Sequence, residues 1–223
     1  MSLNWKGARP LDRSPLEGEL VRLEPVDPGR HARELFEASR HADEIWTYLA
    51  YGPFESLGSF TVWLQARADS TDPLFYTVVD RQAHAARGMA SYLRIAPGDG
   101  VIEIGHVWFA PALQRTKQAT EAIFLLARHA FDDLGYRRLE WKCDSLNAPS
   151  RRAAERFGFT YEGIFRQHMV IKDRNRDTTW FSIIDSEWPT RRAAFERWLD
   201  PANFDQDARQ RRSLTEIRAA LPA

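Results

Sequence analysis

The stretch from Val101 to Leu134 constrains the fold most, because its apolar periodicity changes once, from alternation to steps of three and four. Val101 to Phe109 reads as a strand. Lys117 to Leu134 reads as a helix, with Ala119, Ala122, Ile123, Leu126, Ala130, Phe131 and Leu134 on one face and Gly135 as its C-terminal cap. The helix opens toward the loop Ala110 to Thr116. A helix start carries free amide donors and about half a positive charge, so it can hold a phosphate group. Arg115, Thr116 and Lys117 would add charge and a hydroxyl there. The same residues also read as a plain capped helix with Thr116 at the N-cap and the cations solvated.

The remaining elements assemble around this junction. Leu20 to Pro25 alternates as a half-buried strand, and helical spacing follows in His31–Ser39 and Ser59–Ala68, on either side of an aromatic loop, Trp46 to Phe54. Leu74–Asp80, Arg87–Ile95 and Val101–Phe109 form an antiparallel meander. Arg138–Cys143 is a short strand, and Pro149–Phe157 a short helix stopped at Gly158. Two long strand runs, Phe159–Ile171 and Thr178–Ser186, flank a polar turn, Lys172 to Arg176. Thr190–Leu199 is helical, and the last twenty or so residues are expected to fray or dock late. The order predicts an α+β fold with one central, mostly antiparallel mixed sheet flanked by helices.

Charge and cysteine content narrow the chemistry. Lys and Arg total 31 and Asp and Glu total 31, so no overall field attracts nucleic acid or anionic lipid, and Arg209 to Arg212 alone does not make a nucleic-acid site. The single cysteine, Cys143, excludes a disulfide framework and a cysteine-rich zinc site, and fits a reducing cytoplasm. Residues 1–15 form a polar leader without the apolar core of a signal peptide, and no run is long enough to span a bilayer. No metal is expected.

A second segment makes the first more specific: Asn147-Ala148-Pro149-Ser150, followed by Ala153 and by Gly158-Phe159. Together the two resemble the acyl-coenzyme A loop and the next helix of the GNAT acetyltransferases, in the branch typified by the ribosomal-protein acetyltransferases RimJ and RimL. Gln114, Ala119 and Thr120-Glu121-Ala122 carry the likeness, with Glu103-Ile104-Gly105 upstream and Gly163, Arg166, Asp177, Ser182, Asp185, Glu187 and Trp188 downstream. It covers about residues 16–190, leaving 191–223 as a helical extension. Lys117 stands where the family usually has glycine, and Arg115 replaces another frequent glycine.

The resemblance implies acetyl-coenzyme A as co-substrate. The pantetheine arm would lie along Trp108-Phe109, and the diphosphate on Gln114, Arg115, Thr116, Lys117, Gln118, Ala119 and Thr120. Asn147 would bond the pantetheine amide region, and Ser150 would protonate the leaving thiolate or merely cap its helix. The Phe109 or Trp108 amide would steady the oxyanion. Glu103 is the candidate base, or else an outward strand carboxylate. Met169 occupies a position where some relatives have a glutamate base, which leaves His106 and His168 as substitutes. Cys143 reads as a buried spectator. The acceptor is a primary amine, on a small molecule or a protein N-terminus. The competing reading is a catalytically silent acyl-coenzyme A binding module. Trp188 and the helix after it suit a homodimer interface or an intrachain cap.

Overall fold

The computed structural model describes residues 4–222, so Met1, Ser2 and Leu3 of the leader lie outside the described residues. Its elements are β1 (Leu16–Glu17), β2 (Val21–Pro25), α1 (Pro28–Ser39), α2 (Leu57–Ala68), β3 (Leu74–Asp80), β4 (Ala85–Ala96) and β5 (Val101–Phe109). There follow α3 (Lys117–Arg128), β6 (Arg138–Asp144), α4 (Ala148–Phe157), β7 (Thr160–Ile171), β8 (Arg174–Ile184), α5 (Trp188–Leu199) and α6 (Leu214–Ala219). One sheet of eight strands, ordered β1-β2-β3-β4-β5-β6-β8-β7, runs through the molecule. It is antiparallel except between β5 and β6.

Helices cover both faces, and each face has its own core. On one side Ile102, Ile104, Leu139 and Phe181 pack with Ala122, Ile123 and Leu126 of α3 and with Phe195 of α5. On the other, Met89, Phe75 and Trp108 pack with Leu35 of α1, Phe60 and Leu64 of α2, and Trp46. Burying each large apolar side chain stabilises the fold by about 1.5–3 kcal/mol. Helix α3 is the central element, buried continuously from Ala119 to Ala127. Truncating Leu126 to Ala there should cost about 2–5 kcal/mol.

One expectation changes and another is narrowed. The polar run Lys172 to Arg176 is mostly strand: only Lys172 and Asp173 form the turn, both with positive φ (50° and 58°), and β8 already begins at Arg174. A two-residue hairpin turn with both φ positive matches the twist of its strands, and charged residues suit an exposed hairpin. The C-terminal segment docks rather than fraying, since α6 has a capping box of Ser213 and Glu216 and buries Leu214 and Ile217. Trp188 acts within the chain. It is buried, stacks on Phe131 at 5.0 Å, and donates to Asp132 Oδ1 at 2.7 Å.

Candidate active site

Strands β5 and β6 pair in parallel only from Val101↔Arg138 to Ile104↔Trp141. Beyond that point β5 follows β4 as far as Phe109, while β6 follows β8 as far as Asp144↔Thr178. The sheet therefore splits between Gly105–Phe109 and Lys142–Asp144. A bulge bends β5 at the split: the β4–β5 register slips between Met89 and Ser91, and His106 sits at φ 51°. The Ala110 amide donates to Arg87 O on the β4 side at 2.8 Å. Amides alternate along a strand. Trp108 therefore points its N–H toward β4, and Phe109 points its N–H into the split, which separates the two residues the sequence left equivalent. The Phe109 carbonyl, on that same side, accepts from Gln114 Nε2 at 2.9 Å, so the Gln114 side chain braces the strand end.

The loop after β5 turns directly into α3. Thr116 is the N-cap, accepting from Ala119 N at 3.1 Å and donating to Leu113 O at 2.6 Å. Among the described residues, the amides of Arg115, Thr116, Lys117 and Gln118 have no acceptor in the protein. Four such donors in succession at a helix start form an anion-binding concavity. Of the two positions where glycine is usual, only Arg115 has a left-handed backbone, at φ 61°. Lys117 opens the helix, and its ammonium lies 4.3 Å from the centre of the Phe204 ring rather than over the free amides. Thr120 is buried and accepts from Arg156 at 3.1 Å. Ala119 is buried beneath the turn.

Across the split stands the start of α4. Asn147 caps it by accepting from Ser150 N at 3.1 Å, which leaves the Asn147 side-chain NH2 uncommitted among the described residues. Trp141 Nε1 donates to Ser150 Oγ at 3.0 Å. That bond uses one lone pair of the hydroxyl and leaves its O–H available as a donor. Cys143 is buried on the same strand, and burial pushes its thiol up, so it stays protonated and inert.

The ionisable candidates lie on the α1/α2 face of the sheet. Glu103 is buried, 2.9 Å from Lys142 Nζ and 3.3 Å from Arg94 Nε. Burial raises its carboxyl, with Lys142 opposing. Lys142 is itself enclosed by Glu140 at 2.6 Å and the Trp180 ring at 3.7 Å. His106 Nδ1 lies 3.2 Å from Tyr51 Oη, and burial, then Arg67 and Arg176, lowers its pKa to about 4. Burial likewise raises the Tyr51 hydroxyl far above its usual range, so it remains protonated. His168 Nδ1 lies 2.9 Å from Thr178 Oγ1 on β8, and its pKa is lowered by burial, then by Arg94 and Arg176. Met169 is on the outer strand β7, partly exposed and opposite Arg176.

The aromatic loop roofs this face. Trp46 is core, 5.0 Å from Trp108 by ring centres, and Phe54 packs on it. Tyr48 Oη donates to Leu146 O before α4, at 3.0 Å. From the other side Lys172 Nζ donates to Trp46 O and Gly52 O, at 2.9 and 2.7 Å. The loop thereby ties the β7–β8 turn to the start of α4. An open depression of about 760 Å³ lies on that hairpin, lined by Phe165, Arg166, Gln167, His168, Asn175 and Asp177, apart from the amides of α3. Trp141, Lys142, Arg67 and Arg176 were not found in the sequence, where they sit singly in strand, helix or polar runs with no motif around them, whereas Tyr51 belongs to the aromatic loop that the sequence singles out.

Residues 21–160 match the acetyltransferase (GNAT) domain family. A crystal structure of a GCN5-related N-acetyltransferase from Brucella melitensis is similar at 48% identity, with a TM-score of 0.95 over 97% of this chain and 99% of that one. A GNAT-family acetyltransferase candidate from Chromobacterium violaceum is 46% identical, with a TM-score of 0.79 over 85% of this chain and 95% of that one. The candidate ribosomal N-acetyltransferase YdaF of Bacillus subtilis is 29% identical over 101 residues, 45% of this chain. That match spans 55% of the relative's length.

Proposed function

The chain belongs to the GNAT acetyltransferase family, whose members transfer acetyl from acetyl-coenzyme A, and on that premise we propose that it acetylates a primary amine by direct attack in a ternary complex. The observation that carries this reading is the split between β5 and β6 beside four amides without acceptors. A diphosphate fits those donors, because peptide amides bind oxyanions without needing an ionised side chain. An amide-bearing arm fits the split, where β5 offers a strand edge with no partner.

Each residue then has a role. Arg115, Thr116, Lys117 and Gln118 donate main-chain N–H groups to the diphosphate. Asn147 donates its side-chain amide to the arm, and Phe109 N–H donates to the oxygen that becomes negative as the amine adds to the thioester carbonyl. As the C–S bond breaks, Ser150 O–H donates a hydrogen bond to the departing sulfur.

The amine must be neutral to attack. An α-amino group, with pKa about 7.7–8.0, is partly neutral at cell pH, whereas a lysine at about 10.4 is not. The raised carboxyl of Glu103 is the better proton acceptor, directly or through water. His106, with a pKa near 4, is too weak a base to take a proton from an ammonium unaided. His106 and His168 line the acceptor side instead. YdaF supports placing the chain in the branch typified by RimJ and RimL, and Cys143 as a single buried thiol suits the cytoplasm. Among the described residues no helix is long and apolar enough to cross a membrane.

The test is a screen of primary amines and short peptides with acetyl-coenzyme A, read as free thiol and confirmed by the mass of the acetylated acceptor. Acceptor-dependent thiol release is expected. Tight coenzyme A binding without release for any amine would leave a binding module instead.

A further inference from the structure

The acceptor side of the split carries two guanidinium groups that no carboxylate neutralises. Arg67, at the end of α2, lies over the rings of Trp63 and Tyr51, at 4.8 and 5.6 Å, and reaches only the Trp63 carbonyl, at 3.4 Å. Tyr51 in turn touches His106 at the bulge. Arg176, on β8, donates from Nε to Thr178 Oγ1 at 3.1 Å, the same hydroxyl that meets His168. Alternation places Arg176 on the face of Thr178 and Trp180. Among the described residues neither guanidinium is paired with an acid. The carboxylates nearby are already engaged: Glu103 and Glu140 by Lys142, and Asp177 by the Gln167 amide and Asn175. A chain with no net charge thus concentrates uncompensated positive charge where the acceptor enters.

Resting on the acetyltransferase reading, we propose that Arg67 and Arg176 bind an anionic group of the acceptor, so that the substrate is an amine with a carboxylate a few bonds away. That carboxylate is either the α-carboxylate of a free amino acid or the acidic side chain of a peptide's first residue. Arg67 is partly desolvated against the Tyr51 and Trp63 rings, which strengthens its hold on a carboxylate, and each Arg presents a planar fork of donors. The same field acts on the amine. Uncompensated positive charge disfavours an ammonium, so the acceptor enters more readily in the neutral form that attacks the thioester. The ring of His106 feels both guanidiniums, its pKa being lowered first by burial and then by Arg67 and Arg176. Polyamines, with a second positive charge in place of the carboxylate, are repelled.

Initial rates of thiol release by the full chain, at saturating acetyl-coenzyme A, test this. The acceptors are C-terminally amidated tripeptides beginning with Asp or with Asn, free asparagine against asparagine amide, and spermidine. The acid member of one pair should exceed its amide in kcat/KM by about ten- to a hundredfold, the range for a hydrogen-bonded charged group. The tripeptide pair reads a side-chain carboxylate, and the asparagine pair an α-carboxylate. Arg176→Gln and, from a separate helix, Arg67→Gln should each lower that ratio, while Arg176→Lys should retain most of it. Melting curves show that each variant is folded. Equal rates within both pairs, spermidine as the best acceptor, or a ratio unchanged in both Gln variants overturns the proposal while the acetyltransferase reading stands. Release with none of these acceptors but with another amine of the wider screen likewise overturns the proposal alone, and release with no amine at all overturns the acetyltransferase reading and the proposal with it.

Discussion

Glu121 offers the sharpest test of how the fold fixes the start of α3. The sequence marks it only as part of a Thr-Glu-Ala motif, yet it is buried and accepts three main-chain bonds from the turn before β2. Glu19 N is at 3.0 Å, Leu20 N at 2.7 Å and Val21 N at 2.7 Å. Gly18 is required beside it, since a Cβ there would lie 2.5 Å from Glu121 Oε2. Glu121→Gln keeps the shape but removes the charge and turns an NH2 toward one of the donors. Bonds to a charged group are worth about 1.5–3 kcal/mol and neutral ones about 1, so weakening two and losing the third should cost roughly 3–4 kcal/mol. In a chain of this size that corresponds to a fall of about 6–16 °C in Tm. Denaturant unfolding gives the free energy, and hydrogen exchange at Leu20 and Val21 gives its location. A loss under about 1 kcal/mol, with exchange at those two amides unchanged, would refute the reasoning.

Other substitutions probe the site itself. Arg115→Gly should be more stable than Arg115→Ala by about 1 kcal/mol in thermal or denaturant melts, because only glycine takes φ 61° without strain; equal stability would mean the turn is not strained. His106 has a native pKa of about 4 against 6.5 unfolded, so as pH falls from 6.5 to 4 the unfolded chain gains a proton that the native ring refuses. Stability should drop by about 3 kcal/mol over that window, and His106→Gln should remove that part of the slope. An unchanged slope would contradict a buried neutral ring. Asn147→Ala should weaken coenzyme A binding and loosen α4 by about 1 kcal/mol. Ser150→Ala should lower kcat more than it raises KM, and equal, small effects from both changes would defeat the division of roles.

What the sequence made legible was local. The steps of three and four in Lys117–Leu134 gave α3 together with the π-helical turn His129–Asp133 that continues it, and the run Leu74–Asp80 gave β3, because each pattern is set by which side chains face a core. The strand–loop–helix junction drew attention to Gln114–Thr120 for the same reason. What escaped depends on distant partners. The polar run Lys172 to Arg176 hid the start of β8, since an exposed strand need not alternate. Lys117 looked ready for an anion until Phe204, far along the chain, was seen to occupy its ammonium. The pairing of Glu103 with Lys142 and the bracing of Phe109 by Gln114 both require the register of the sheet. Arg67 and Arg176 stand out only by the absence of acids around them, a property of three-dimensional neighbourhoods.

The account depends on four main-chain donors after Gln114 meeting the diphosphate of coenzyme A. A ¹⁵N-edited NMR titration of the full chain reads those amides one by one. Coenzyme A should shift Arg115, Thr116, Lys117 and Gln118 strongly, while pantetheine, which lacks the phosphates, should leave them in place and move residues of the split such as Phe109. Coenzyme A that binds without moving those four signals, or pantetheine that moves them equally, would contradict it.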